Sequence, residues 1–172
     1  MNSVYEIYAI RYGHLDRTAT HNFIGGDPHD GPMPLDYYVW AIVGPERTFL
    51  LDTGFDAAIG AGRGRTLVRP VEAGLAAIGI DPASVRDIIV SHMHYDHAGN
   101  HELFPQARYH VQDDEMAFCT GRVVFHDGVS ELAPGITLHK VGGHTRGLQV
   151  VRVNTRRGWV VLASDAAHFY AN

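Results

Sequence analysis

The strongest constraint in this chain is the stretch Ser91-His92-Met93-His94-Tyr95-Asp96-His97-Ala98-Gly99-Asn100, which follows directly on the apolar run Ile88-Ile89-Val90. Three imidazoles and a carboxylate fall within the six positions from His92 to His97. A short, continuous β-branched run from Asp87 to Val90 reads as a strand buried on both faces, the pattern of a parallel sheet. The histidine cluster therefore sits where a strand hands over to a helix. In layered α/β folds that carboxyl edge is where sites are built. The competing account is a histidine-rich surface turn, but a solvent loop gives no reason for a buried strand to deliver it.

His92 and His94 are two positions apart, so an extended backbone points both side chains the same way and lets them reach one ion. Asp96 and His97 fall where the chain leaves that geometry, and Ala98-Gly99-Asn100 permits a tight turn into a helix. Neutral imidazole and carboxylate are zinc ligands, with bonds of about 2.0–2.2 Å. One strand-end loop can thus serve two adjacent ions, His92 and His94 on one, Asp96 and His97 on the other. Two distant candidates join it. His144 follows Gly142-Gly143 at a strand end, where a lone histidine is ordinarily a turn residue, and Asp165 closes an apolar strand in LASDAAH, where an isolated aspartate is ordinarily a helix cap.

Elsewhere the pattern alternates strands with helices. Val4 to Ile10 reads as a first strand, residues 12–34 as a long Gly/Pro/His/Asp loop, and 37–43 with 48–51 as a hairpin turning at Gly44-Pro45. Helical spacing covers 70–79, strands are expected at 108–111, 136–141, 149–153 and 159–162, and a helix capped by Asp113 at 113–118. At 172 residues, 45% hydrophobic and 19% charged, the chain predicts one globular unit spanning 1–172. A net charge of −5 with no Lys/Arg cluster argues against nucleic acid as a partner, and no apolar stretch approaches the ~20 residues of a membrane helix. The single cysteine, Cys119, excludes an internal disulfide, and the first residues carry no basic segment followed by an apolar run, so a cytoplasmic protein is expected.

Taken together, His92-x-His94-x-Asp96-His97, Gly143-His144, Asp165 after an apolar strand, and Asp52-Thr53-Gly54 after Leu50-Leu51 resemble the metallo-β-lactamase superfamily. The resemblance implies an α/β fold, the αββα sandwich, with two zinc ions between its sheet edges. His92, His94 and His144 would hold the first ion, Asp96 and His97 the second, and Asp165 would bridge them. Within the superfamily the strings MPLDYYVWAIV, LLDTGF and LAPGITLHKVGGHTRG, with Asp165-Ala166-Ala167, are most similar to the N-acyl homoserine lactonases.

Three departures from that pattern stand out. The family supplies one more histidine from well beyond the bridging aspartate, yet this chain ends at Asn172, seven residues after Asp165. That predicts a sandwich whose second half is truncated, or a short relative that recruits its ligand from elsewhere or from a second chain. The interval from His97 to His144 is short for the lactonase group. Where lactonases carry a tyrosine three positions after the bridging aspartate, this chain has His168, with Tyr170 two residues on, and either is a candidate for holding the substrate carbonyl. Met33, Tyr37, Tyr38 and Trp40 either line an acyl channel or are plain core.

The expected activity is hydrolysis of a small lactone, the small-molecule partner, by a metal-bridging hydroxide, with Asp96 orienting the nucleophile and passing a proton to the leaving alkoxide. A glyoxalase II-like thioester hydrolase and a metal-binding module without turnover are the alternatives.

Overall fold

The computed structural model describes residues 3–118 and 122–169. Its strands are β1 (Glu6–Leu15), β2 (Leu35–Val43), β3 (Thr48–Leu51), β4 (Thr66–Leu67), β5 (Asp87–Ile89), β6 (Arg108–Gln112), β7 (Val123–His126), β8 (Val129–Ala133), β9 (Ile136–Lys140), β10 (Gln149–Thr155) and β11 (Gly158–Leu162). Short helices α1 (Ala57–Gly62), α2 (Val71–Ala76) and α3 (Tyr95–Ala98) lie among them. A seven-stranded sheet runs in the order β4-β1-β2-β3-β5-β6-β7, and a four-stranded sheet in the order β11-β10-β9-β8. β1 to β3 pair antiparallel, β3, β5, β6 and β7 pair parallel, and the small sheet is antiparallel throughout.

Side-chain alternation divides the interior into two cores. Leu50 and Ile88 face a cluster with Tyr12, Phe55, Val71 and Leu75, on the side where the helices lie. Phe49, Leu51 and Ile89 face the other way, onto Ile136, Leu138, Val151 and Val153 of the small sheet. β5 is buried on both faces, as its apolar run predicts. Among the described residues, α1, α2 and α3 contribute to the first core and no helix to the second. No described helix is long and apolar enough to cross a membrane.

The structure corrects several expectations. β1 continues to Leu15, because Gly13 and His14 pair with β2 on one side and β4 on the other, and the expected loop begins only after it. A register shift between Arg11 and Gly13 kinks this strand at Tyr12. α2 stops at Ala76, since Gly79 takes a positive φ of 77° and Ile80 N–H turns back to the Leu75 carbonyl. Asp113–Phe118 is helical with the expected bounds, as a 3-10 helix that includes Asp113. β4, α1, β7 and β8 have no counterpart in the sequence reading. Cys119 lies outside the described residues.

The two sheets are joined beneath the site by a buried amide. Gln149 Nε2 donates to the carbonyls of Val90 at 2.8 Å and His110 at 3.0 Å, and its Oε1 accepts from Gln112 Nε2 at 2.9 Å. Replacing a buried donor with an apolar group of similar size strands its acceptors. Gln149→Leu is expected to destabilise the chain by about 2–4 kcal/mol, read as a lower urea midpoint at unchanged m-value.

Candidate metal centre

β3 and β5 lie side by side and parallel, with Leu51 opposite Ile89, so the chain leaves both strands at the same edge. Asp52, the first residue past β3, is buried and takes a positive φ of 65°. Its Oδ1 accepts the Ser91 N–H at 2.7 Å, and its Oδ2 accepts Ser91 Oγ–H at 2.9 Å and His97 Nδ1–H at 2.8 Å. Thr53 N–H bonds the His97 carbonyl at 2.7 Å, and Tyr12, at the kink of β1, donates its hydroxyl to the Asp96 carbonyl at 2.7 Å. Gly99 passes close to Gly54, where a Cβ would stand 2.5 Å from the Tyr95 carbonyl oxygen and 2.6 Å from that of Gly54, so no side chain fits. The histidine loop is thus held from below by β1 and β3.

His92 is fully buried, with Nδ1 3.1 Å from Ser91 Oγ. Since that hydroxyl donates to Asp52, the ring places its proton on Nδ1 and leaves Nε2 with a lone pair. His92 Nε2 and His144 Nε2 each lie 2.9 Å from His94 Nδ1. His144 arrives on the loop between β9 and β10, so the small sheet brings it to the histidine loop of the large one. His97 repeats the logic: Asp52 takes its Nδ1 proton, and Nε2 stands 3.6 Å from Asp96 Oδ2 and 3.5 Å from Asp165 Oδ1.

Asp165, in the 3-10 turn after β11, faces both groups. Its Oδ2 is 3.4 Å from His144 Nε2 and 4.0 Å from His92 Nε2, while Oδ1 points to His97. His168 Nε2 also reaches Asp165 Oδ2, at 3.4 Å. Two sets of donor atoms, one from His92, His94 and His144 and one from His92, His97 and Asp165, each converge within 4.8 Å. Ligands of one tetrahedral zinc stand ~3.3 Å apart for bonds of ~2.0–2.1 Å, so the donor set fits a divalent cation. All six residues of the expected ligand set, His92, His94, Asp96, His97, His144 and Asp165, lie in this cluster, and His168 at its rim. Tyr170 lies outside the described residues. The aromatic stripe divides instead of lining one channel: Tyr37 packs into the first core and Trp40 against the second.

The electrostatics distinguish the rings. Burial, with the nearby His97, His94 and His144, pushes His92 down to about 3, so it is neutral and ready to ligate. Burial also lowers His144. For His97 burial works the same way, but the Asp52 carboxylate, with Asp96 and Asp165 beyond it, prevails and holds the ring protonated up to about 9. Burial would raise Asp165, yet the hydrogen bond from His168 and the charge on His97 hold its carboxyl well below the usual range. His168 is raised in return, chiefly by that bond. Ser91, Tyr12 and Ser164, whose Oγ donates to Ser91 Oγ at 2.8 Å, were not singled out from sequence. Only Ser91, adjoining the motif, carried any signal.

The profile of the metallo-β-lactamase superfamily matches residues 33–113, a segment containing the loop from Ser91 to Asn100. Over that segment, just under half of its length, the chain is similar to the metallo-β-lactamase superfamily. Its relatives include human metallo-β-lactamase domain-containing protein 1, 38% identical over 100 residues that make up 53% of this chain and 36% of that protein. An N-acyl homoserine lactonase of Bacillus thuringiensis is 30% identical over 112 residues, 57% of this chain and 45% of the relative. The chain thus spans less than half the length of either. Among solved structures, a quorum-quenching N-acyl homoserine lactone lactonase superposes with a TM-score of 0.78 at 24% identity, covering 97% of this chain and 75% of that one. A probable metal-dependent hydrolase from Staphylococcus aureus gives 0.78 at 17% identity, covering 96% and 74%. These superpositions show the fold, and the converging donor atoms of this chain fit a divalent metal.

The proton on His97 generates a pH dependence. An ion at His97 Nε2 displaces that proton, which the metal-free ring keeps up to about 9 against an ordinary value near 6.5. Affinity for that ion therefore rises with pH by about tenfold per unit from near neutrality and levels off above about 9. Asp52→Asn removes the charge that holds the proton, so the rise is expected to vanish between pH 7 and 9. Calorimetric zinc titrations in buffers of different ionisation enthalpy count the released proton.

Proposed function

We propose that this chain is a zinc-dependent hydrolase that opens a small lactone, with N-acyl homoserine lactone as the substrate class. The observation that carries the reading is Asp165, whose two oxygens face two donor groups, Oδ2 toward His144 and His92 and Oδ1 toward His97. A carboxylate so placed suits a bridge between two ions. The lactonase group supplies the substrate class, through the relative from Bacillus thuringiensis and through a lactone hydrolase solved with N-hexanoyl-L-homoserine at its catalytic metal centre.

His92, His94 and His144 would hold one ion, Asp96 and His97 the other, with Asp165 shared. Such ions supply Lewis acidity and an activated water at neutral pH. The chain's own residues do the remainder. Asp52 and Ser91 engage Nδ1 of His97 and His92, so Nε2 would be the ligating atom of each, on His97 once its proton has left. Asp96, whose Oδ2 lies 3.6 Å from His97 Nε2, would orient the nucleophile and carry a proton to the leaving alkoxide. His168, whose proton affinity the hydrogen bond to Asp165 raises, would present a donor at the rim to the substrate carbonyl.

The decisive experiment is metal content per chain beside hydrolysis of a homoserine lactone and a thioester. About two zinc per chain with ring opening is expected, lost on chelation and restored by zinc. Asp96→Asn is expected to lower kcat by about 10²–10⁴-fold. His168→Phe is expected to raise KM and to lower kcat by about tenfold, the loss of one neutral or charge-assisted hydrogen bond. A zinc-loaded chain that opens neither substrate is a metal-binding module instead, and preference for the thioester transfers the site to that chemistry.

A further inference from the structure

The two loops that bring three imidazoles together come from distant parts of the chain, His94 and His144 being 50 positions apart. One buried side chain holds both. Glu115, in the 3-10 helix that follows β6, is 4% exposed. Its Oε2 accepts the N–H of Met93, the residue between His92 and His94, at 3.0 Å. Its Oε1 accepts the N–H of Gly147, three residues past His144, at 2.9 Å. β6 runs parallel to β5, so the chain leaving β6 emerges beside the histidine loop.

The Gly147 end of this clamp is built for close approach. A Cβ at Gly147 would stand 2.6 Å from Glu115 Cγ and 2.8 Å from Oε1, so a side chain there would force the carboxylate away. A carboxylate is also the only side chain of this length with two oxygens, one for each amide donor. A glutamine must turn its NH2 toward one of them.

We infer that Glu115 is a positioning residue for the metal centre: it ties the His92–His94 loop to the His144 loop and so presets the three imidazole nitrogens before an ion arrives. This rests on the metal-centre reading above. The clamp touches neither Asp96 nor His97 in these two bonds; the Asp96 carbonyl is held from the other side by the Tyr12 hydroxyl and the His97 ring by Asp52. Its loss should therefore fall on one ion more than on the other. A carboxylate that merely stabilised the fold would not discriminate between them.

The test compares the full chain with Glu115→Gln, Glu115→Ala and Gly147→Ala. Metal-free protein is titrated with Co²⁺, whose d–d absorption separates an ion bound by three imidazoles from one bound by an imidazole and carboxylates, and with Zn²⁺ against a chromophoric chelator. Circular dichroism and the melting midpoint of the metal-free forms report the fold. Affinity for the three-imidazole ion is expected to fall about 10–100-fold, the usual effect of losing an outer-shell partner, with the second ion changed far less. Glu115→Ala should lose more than Glu115→Gln, which keeps one acceptor, and Gly147→Ala should reproduce the same selective loss from the opposite end. Variants that titrate like the parent chain, or that lose both ions equally, overturn the clamp and leave the metal centre standing. A parent chain that takes up no ion overturns the metal-centre reading, and the clamp falls with it.

Discussion

The buried carboxylate of Asp52 is the interaction on which the site depends. A carboxylate out of water without partners costs several kcal/mol, and removing one partner of a buried pair costs a comparable amount. Here three donors offset that cost, and all three belong to Ser91 and His97, inside the histidine loop. Satisfying Asp52 and shaping the loop are therefore the same requirement. The left-handed turn at Asp52 is part of it, since it directs the carboxylate across the sheet edge to the neighbouring strand end.

That arrangement works because of the layers beneath it. Parallel pairing of β3 with β5 places two strand ends together, and β5 lies between the two cores, Ile88 in one and Ile89 in the other. The small sheet then contributes from its own edge, with His144 after β9 and Asp165 after β11. Each sheet supplies ligands that the other cannot. Gln149 and Glu115 lie across the boundary, one joining backbone carbonyls of β5 and β6 to β10, the other joining the two ligand loops.

Much of this was legible in the chain itself. SHMHYDHAGN announced itself because its donors are neighbours in sequence, and His144 and Asp165 could be suspected because each closes an apolar run. β1 was read as too short, since the composition of RYGHL resembles a loop while its strand geometry is imposed by partners on both sides. β7 and β8 escaped notice because their pairing, like that of most edge strands, is decided by neighbours more than by local preference. Glu115 gave no signal at all. In DDEMAF it looks like ordinary acidic enrichment of a helix start, and only its burial against Met93 and Gly147 reveals otherwise.

The sequence by itself determined the alternation of strands and turns, the two-faced burial of β5 and the kinds of donor atom available, because periodicity and side-chain chemistry are local properties. Only the tertiary structure decided that Nε2 of His92 and of His97 faces the cluster, that Asp165 faces both donor groups, and that Asp52 keeps His97 protonated. Those outcomes depend on distances of a few ångströms between residues 45 to 73 positions apart, set by the register of paired strands and the contact of two sheets, and no local pattern encodes them.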